Sequence, residues 1–272
     1  MLPGFELWVP PKANQFVSFN GLSVPAFEIL GTDAQYVSVP LPPGRSVMCM
    51  SGHMAYMSAD IIMEVKLAGF MGTVKRVAGG GSLFLVTYTN SSGSEAGYIS
   101  MTPDYPGIIV PICLHDHTKI CAMRDSYICS FSTFDQQETQ ISAGFNPAQS
   151  VAGFCCSGID FIVQTLSDGE WVFLQAMGTV ITRTLAAGEV ILVDTRSILC
   201  FDATVTVDIR RVGGCCAMFC AGAGLFHTEM HGPGKVWMQS MSIDKLRDLF
   251  PPQVVESGGG DGGGGDSGDG GS

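Results

Sequence analysis

Apolar and polar residues alternate along much of this chain with the period of two that belongs to β-strands. The cleanest case is Ala203-Thr204-Val205-Thr206-Val207-Asp208-Ile209-Arg210, which puts Val205, Val207 and Ile209 on one face. Ile159-Asp160-Phe161-Ile162-Val163-Gln164 follows the pattern less purely. Leu83 to Tyr88, Ile108 to Leu114, Trp171 to Leu174 and Val190 to Val193 are short continuous apolar runs, the pattern of strands covered on both faces. Gly, Pro, Asn and Asp clusters separate these runs at short intervals, so the predicted fold class is all-β: a sandwich, barrel or β-helix. One segment has helical spacing. Ser242 can cap Ile243-Asp244-Lys245-Leu246-Arg247-Asp248-Leu249-Phe250, and Pro251-Pro252 ends it. This short C-terminal helix is expected to pack on the edge of the sheet structure.

An extended segment that runs to a turn glycine occurs three times. Tyr36-Val37-Ser38-Val39-Pro40-Leu41-Pro42-Pro43-Gly44 parallels Tyr98-Ile99-Ser100-Met101-Thr102-Pro103-Asp104-Tyr105-Pro106-Gly107, and both parallel Thr179 to Gly188. Further on, Met54 to Asp60, Tyr127 to Phe131 and Ile198 to Asp202 correspond. The marker glycines stand 63 and 81 residues apart, which excludes an open solenoid of fixed period. Three pseudo-symmetric modules of β-sandwich or double-stranded β-helix type, closing around a pseudo-threefold axis, would hide edges that invite aggregation. The organisation predicted is an N-terminal arm over 1–25 and a β domain over 26–242, with modules at about 26–78, 79–155 and 156–241. The short helix at 243–250 and a flexible Gly/Asp/Ser tail over 251–272 follow.

Composition narrows the function classes. The chain has 272 residues, 46% hydrophobic and 14% charged, which excludes wholesale disorder and a coiled coil. Net charge is -11, and about -7 once Glu256, Asp261, Asp266 and Asp269 of the tail are set aside. An acidic body without a basic stripe speaks against nucleic acid as a partner. Ten cysteines in a long chain without disulfide-scaffold spacing are expected to be buried thiols, with Cys49, Cys113, Cys121, Cys129 and Cys200 all in apolar surroundings. Met1-Leu2-Pro3-Gly4-Phe5-Glu6 has the character of neither a secretory signal nor a transit peptide. The uncharged stretch Val212 to Phe226, full of Gly, Ala and Cys, is shorter than the roughly 20 strongly apolar residues of a membrane span. A soluble cytoplasmic protein is expected, with no transmembrane segment and with peripheral membrane association left open.

Three segments carry a family resemblance: Gly79-Gly80-Gly81-Ser82-Leu83-Phe84, Ile99 through Pro106-Gly107, and Gly232-Pro233-Gly234-Lys235-Val236-Trp237-Met238-Gln239-Ser240. Together with Gly44 and Met54 to Leu67, and with Ala187-Gly188 to Asp194, they resemble the altered inheritance of mitochondria protein 24 family over roughly residues 26 to 242. The resemblance implies three repeats like those of the tryptophan RNA-binding attenuation protein, related to double-stranded β-helices. It implies soluble bacterial relatives, and a link of the fungal mitochondrial members to the organisation of inner-membrane complexes. It implies no catalytic or ligand residue, and mitochondrial localisation rests on it alone.

The candidate chemistry is sparse. His115-Asp116-His117 would present two imidazoles from one face of a strand, and such pairs bind metal in double-stranded β-helix proteins. A third ligand is then needed, another His or an acid such as Glu138. The alternative is a polar hairpin loop between two apolar runs. His227-Thr228-Glu229-Met230-His231 has histidines at i and i+4 but lacks the glutamate position of a zinc protease, so a turn before the Val236 strand is expected. Cys155-Cys156 and Cys215-Cys216 with Cys220 lack metal-site spacing. Gly79 to Ser82 and Gly234-Lys235 read as tight β turns and not phosphate loops. Asp194 and Asp202 are expected to cap turns. No G-x-S-x-G elbow and no carboxylate pair stands out. The expected function is therefore non-enzymatic: an interaction or scaffold protein with protein partners or further copies of itself. The alternatives are a small-ligand or metal-binding protein with a cavity between modules, and an enzyme of cupin-like type built on His115 and His117. No cofactor, catalytic residue or metal site is assigned.

Overall fold

Strands form where the side-chain alternation gives each segment a face to bury. The computed structural model describes residues 4–11, 15–19, 21–67, 84–132, 139–144, 163–211 and 226–250. Its first strands are β1 (Glu6–Leu7), β2 (Phe16–Phe19), β3 (Leu22–Pro25), β4 (Glu28–Leu30), β5 (Tyr36–Leu41), β6 (Ser46–Met50), β7 (Met54–Met57) and β8 (Ile61–Leu67). The middle of the chain supplies β9 (Phe84–Asn90), β10 (Gly97–Met101), β11 (Ile108–Cys113), β12 (Lys119–Met123), β13 (Tyr127–Phe131) and β14 (Gln140–Gly144). The last are β15 (Val163–Ser167), β16 (Trp171–Leu185), β17 (Val190–Val193), β18 (Ile198–Asp202), β19 (Thr206–Arg211), β20 (Phe226–His231) and β21 (Gly234–Met241). One helix, α1 (Ile243–Leu249), follows them. The all-β prediction with a short C-terminal helix is what the structure has.

A twelve-stranded sheet forms the spine, in the order β14-β15-β12-β18-β21-β16-β13-β6-β9-β8, with β1 and β11 also pairing to β16. A four-stranded sheet β4-β5-β10-β7 and a three-stranded sheet β17-β20-β19 accompany it, with a hairpin β2-β3. In β5 the alternation is complete: Val37, Val39 and Leu41 are buried while Tyr36, Ser38 and Pro40 face outward. Those inward residues pack with Phe27, Cys49, Val86, Phe131 and Phe173 in one core. There the Phe27 ring meets Phe173 edge-on at 5.0 Å, and Phe131 stacks on Phe173 at 5.6 Å. Residues of opposite parity on the same strands, Met48 and Leu85 among them, join Val110, Tyr127, Leu174 and Trp237 in a second core. A third lies under the three-stranded sheet, where Val193, Val207 and Met230 meet Phe201, Val236 and Met238.

Two predicted elements differ in detail. Val190 to Val193, expected to be covered on both faces, is an edge strand whose Val190 and Leu192 face solvent. A continuous apolar run shows that a segment can be buried but not how many faces are. Trp171 to Leu174 and Thr179 to Leu185 belong to one fifteen-residue strand, β16. At Gly178 the register to β21 shifts. Gly178 has φ +70°, and the amides around it are taken up by side chains: Met177 N donates to Gln239 Oε1 and Thr179 N to Ser240 Oγ, both at 3.0 Å. The strand therefore changes neighbours without interruption. Residues 171–176 pair with β11 and β13, and residues beyond the shift with β1 and β21.

Strand pairing also runs across the expected module limits, through β8 with β9 and β14 with β15. Ile159 to Ile162 and the Gly/Asp/Ser tail lie outside the described residues. No helix among the described residues is long and apolar enough to cross a membrane.

Candidate functional site

His115 and His117 do not stand on a strand. They lie in the turn between β11 and β12, closed by hydrogen bonds from Asp116 N to Cys113 O and from His117 N to Leu114 O, both 3.2 Å. Residues i and i+2 of a turn share no face. The His115 side chain goes to solvent, while His117 is half-buried and its Nδ1–H donates to Asp202 Oδ1 at 2.7 Å. The second Asp202 oxygen accepts from Lys235 N at 2.7 Å. The imidazole edge meets the Trp237 ring at 5.2 Å, and the Lys235 ammonium lies 5.1 Å from that ring's centroid. This cluster ties the β11–β12 turn to β18 and β21. Asp202, expected to cap its own turn, instead spans three elements. Asp194 does act locally: its Oδ1 accepts from Arg196 N at 3.0 Å and opens a single 3-10 turn over Thr195–Ser197. Glu138, Cys155, Cys156, Cys215, Cys216, Cys220 and Gly79 to Ser82 lie outside the described residues. Among the described residues no three His, Cys, Asp or Glu side chains converge as metal ligands would.

His227 to His231 is strand β20, not the expected turn; the turn comes afterwards, at Gly232-Pro233. Period two puts His227, Glu229 and His231 on the outer face and Thr228 and Met230 in the core. At about 3.3 Å per residue the two histidine backbones stand about 13 Å apart, too far to chelate one ion. Glu229 instead accepts from Arg210 Nη1 at 3.1 Å across the β19–β20 pair, with His231 Nε2 3.4 Å from its other oxygen. The common face of these histidines follows from strand spacing, which the expectation of a turn here did not use.

His53, which no sequence motif singles out, is buried after β6. Its Nδ1–H donates to Thr102 O at 2.9 Å, and Nε2 lies 3.6 Å from Asp104. Asp104 N in turn donates to the buried Gln175 Oε1 at 2.9 Å, and Gln175 Nε2 to Asp125 O at 2.6 Å. These bonds satisfy buried polar groups and lock loops.

The outer face of the four-stranded sheet is chemically different. Tyr36 of β5, Tyr56 of β7 and Tyr98 of β10 are each 44–45% exposed and form a row. The centroid of Tyr56 is 6.5 Å from Tyr36 and 6.1 Å from Tyr98. The row exists because small residues lie between the rings: Ser100 is directly opposite both Ser38 and Tyr56, leaving Tyr56 room to lie over the strand. Exposed Leu30 is opposite Tyr36 and extends the apolar area. Tyrosine combines a large apolar ring with a hydroxyl, the composition of many recognition surfaces. The only sequence signal was that Tyr36 and Tyr98 open the first two copies of the internal repeat.

Comparison with known proteins yields three findings. A family model described as mitochondrial biogenesis AIM24 matches residues 27–241. An uncharacterised protein of Streptococcus pyogenes serotype M6 is 23% identical over 217 residues, covering 77% of this chain and 83% of that one. The crystal structure of a Streptococcus pyogenes protein is similar with TM-score 0.61 and 19% identity, covering 82% of this chain and 96% of that chain. At that identity the likeness shows a shared fold.

Proposed function

The chain belongs to the mitochondrial biogenesis AIM24 family, and from that premise we propose that it is a non-enzymatic interaction or scaffold protein. The observation that carries this reading is the row of Tyr36, Tyr56 and Tyr98 beside Leu30, a contiguous aromatic and apolar area on the solvent face of a rigid sheet. Its partners are proteins, a second copy of the chain included, and partners associated with a membrane surface suit the family's name. The acidic body disfavours nucleic acid. The proposed compartment is the cytoplasm, with the mitochondrion as the alternative that the family suggests. The three-module arrangement is part of the proposal. Three antiparallel pairs, β8 with β9, β14 with β15 and β19 with β20, recur along the chain; the first two join strands of successive modules and the third lies within the last. The cupin-like alternative has less support, since His117 is engaged by Asp202 and His115 stands apart in the turn.

Native mass spectrometry of the full chain gently recovered from its source tests the proposal. A complex of defined composition, lost when Tyr36, Tyr56 and Tyr98 are replaced together by Ser while circular dichroism is unchanged, is the expected result. Recovery of wild type and variant alike as the bare chain sinks it. A stoichiometric mass excess from a metal or small molecule, removed by His115→Ala with His117→Ala, would support the cupin-like alternative instead.

A further inference from the structure

The twelve-stranded spine has one narrow joint. Along its path β13 meets β6 through only two residue pairs, Cys129 with Cys49 and Ser130 with Met48, whereas β6 meets β9 through five. One side-chain bond reinforces the joint: the Tyr127 hydroxyl donates to Met48 O at 3.0 Å and accepts from Ser130 Oγ at 2.7 Å. The two cysteines at this joint are directly opposite each other, both fully buried and both in the core beneath the four-stranded sheet. Directly opposed residues of an antiparallel pair have Cα atoms about 4.5 or 5.5 Å apart, depending on the pair type. Either separation lies within the roughly 4.4–6.8 Å that a disulfide spans.

We propose that Cys49 and Cys129 are a cross-strand disulfide site, closed while the chain folds in the presence of a small-molecule disulfide. Oxidised glutathione serves as the oxidant. One cysteine thiolate attacks its S–S bond and releases one glutathione thiol; the second cysteine then displaces the other. The Sγ–Sγ bond forms, the glutathione bond breaks, and the two thiol protons end on two reduced glutathiones. Two electrons pass from protein to glutathione. The bond would clamp the narrow joint and close a loop of roughly 80 residues. In the structure both thiols are free. Burial pushes the Cys49 thiol up to about 12 and that of Cys129 well above its usual range, with the neighbouring Cys49 adding to the latter. The thiolate that exchange requires is therefore scarce once the joint is closed. Closure of the bond belongs to folding, and the native state resists it.

The test is to refold the full chain from urea in a buffer of oxidised and reduced glutathione, alkylate the remaining thiols and map the peptides. The expected product links Cys49 to Cys129, and dithiothreitol lowers its thermal midpoint by roughly 10 °C. The double variant C49A/C129A shows no dithiothreitol effect. Recovery of Cys49 and Cys129 as alkylated thiols, or joined to other cysteines, overturns the proposal. Native protein that oxidises at this pair as fast as the refolding chain overturns the burial argument. Export of the same chain to a bacterial periplasm, followed by the same map, gives the answer where refolding yields are low.

Discussion

Glu189, in the turn before β17, has its two carboxylate oxygens engaged by different donors. Oε2 accepts from Ala186 N at 2.8 Å, and Oε1 pairs with the Arg183 guanidinium, which also lies over the Phe5 ring at 4.6 Å. The backbone donor first, and Arg183 second, hold this carboxyl below its ordinary 4.5. A lowered folded pKa contributes stability that is present above the unfolded value and lost as pH falls through the folded one. The melting-temperature gap between wild type and Glu189→Gln should therefore be widest at neutral pH and close below about pH 4. A gap independent of pH would refute the assignment. At the same scale, Phe173 is fully buried between Phe27 and Phe131, and Phe173→Ala should cost about 3–5 kcal/mol in urea unfolding. Which residues would be buried was legible from alternation, as Val205 and Val207 show. The partner of a polar side chain was not. Asp202 looked like a local cap because its partners, His117 and Lys235, are 85 and 33 residues away.

Among elements, the helix was the most legible because all its signals are local. Ser242 Oγ accepts from Lys245 N at 3.3 Å, and the Lys245 ammonium reaches Ser197 Oγ, pinning α1 to the 3-10 turn. Ser242→Ala should destabilise by about 1 kcal/mol, seen as a lower urea midpoint with unchanged slope. The opposite case is Gly178, where β16 continues through a residue that sequence alone marks as a break. A Cβ at this position would run into Ser240 Oγ, and its φ of +70° disfavours any L side chain. Gly178→Ala should cost about 1–3 kcal/mol by equilibrium unfolding. An unaltered midpoint would mean that the register shift can be relocated. Sequence periodicity carries no information about pairing across long separations, so β16 read as two segments and β17 as covered on both faces.

At the scale of the molecule, the thiols of Cys49, Cys129 and Cys200 and the phenol of Tyr127 are all raised by burial. The unfolded chain ionises these groups from about pH 9 upward while the native state keeps them neutral. Their contribution to stability is thus present below pH 9 and is lost as pH rises toward the folded values. The urea midpoint should fall steeply between pH 9 and 11, and less steeply in Cys200→Ala, whose neutral-pH midpoint is already lower. The all-β class and family were readable from local pattern and motif; the order of strands in the spine was not, because it is set by long-range pairing. That order constrains the protein's history. Since β16 partners β11 and β13 with its first part and β1 and β21 with its second, a fragment ending at residue 170 lacks the neighbour of one pair, and a fragment starting at 186 lacks that of the other. A cut on either side of β16 therefore parts strands that pair in the native sheet, and recombination at those two points would leave both products with unpaired edges.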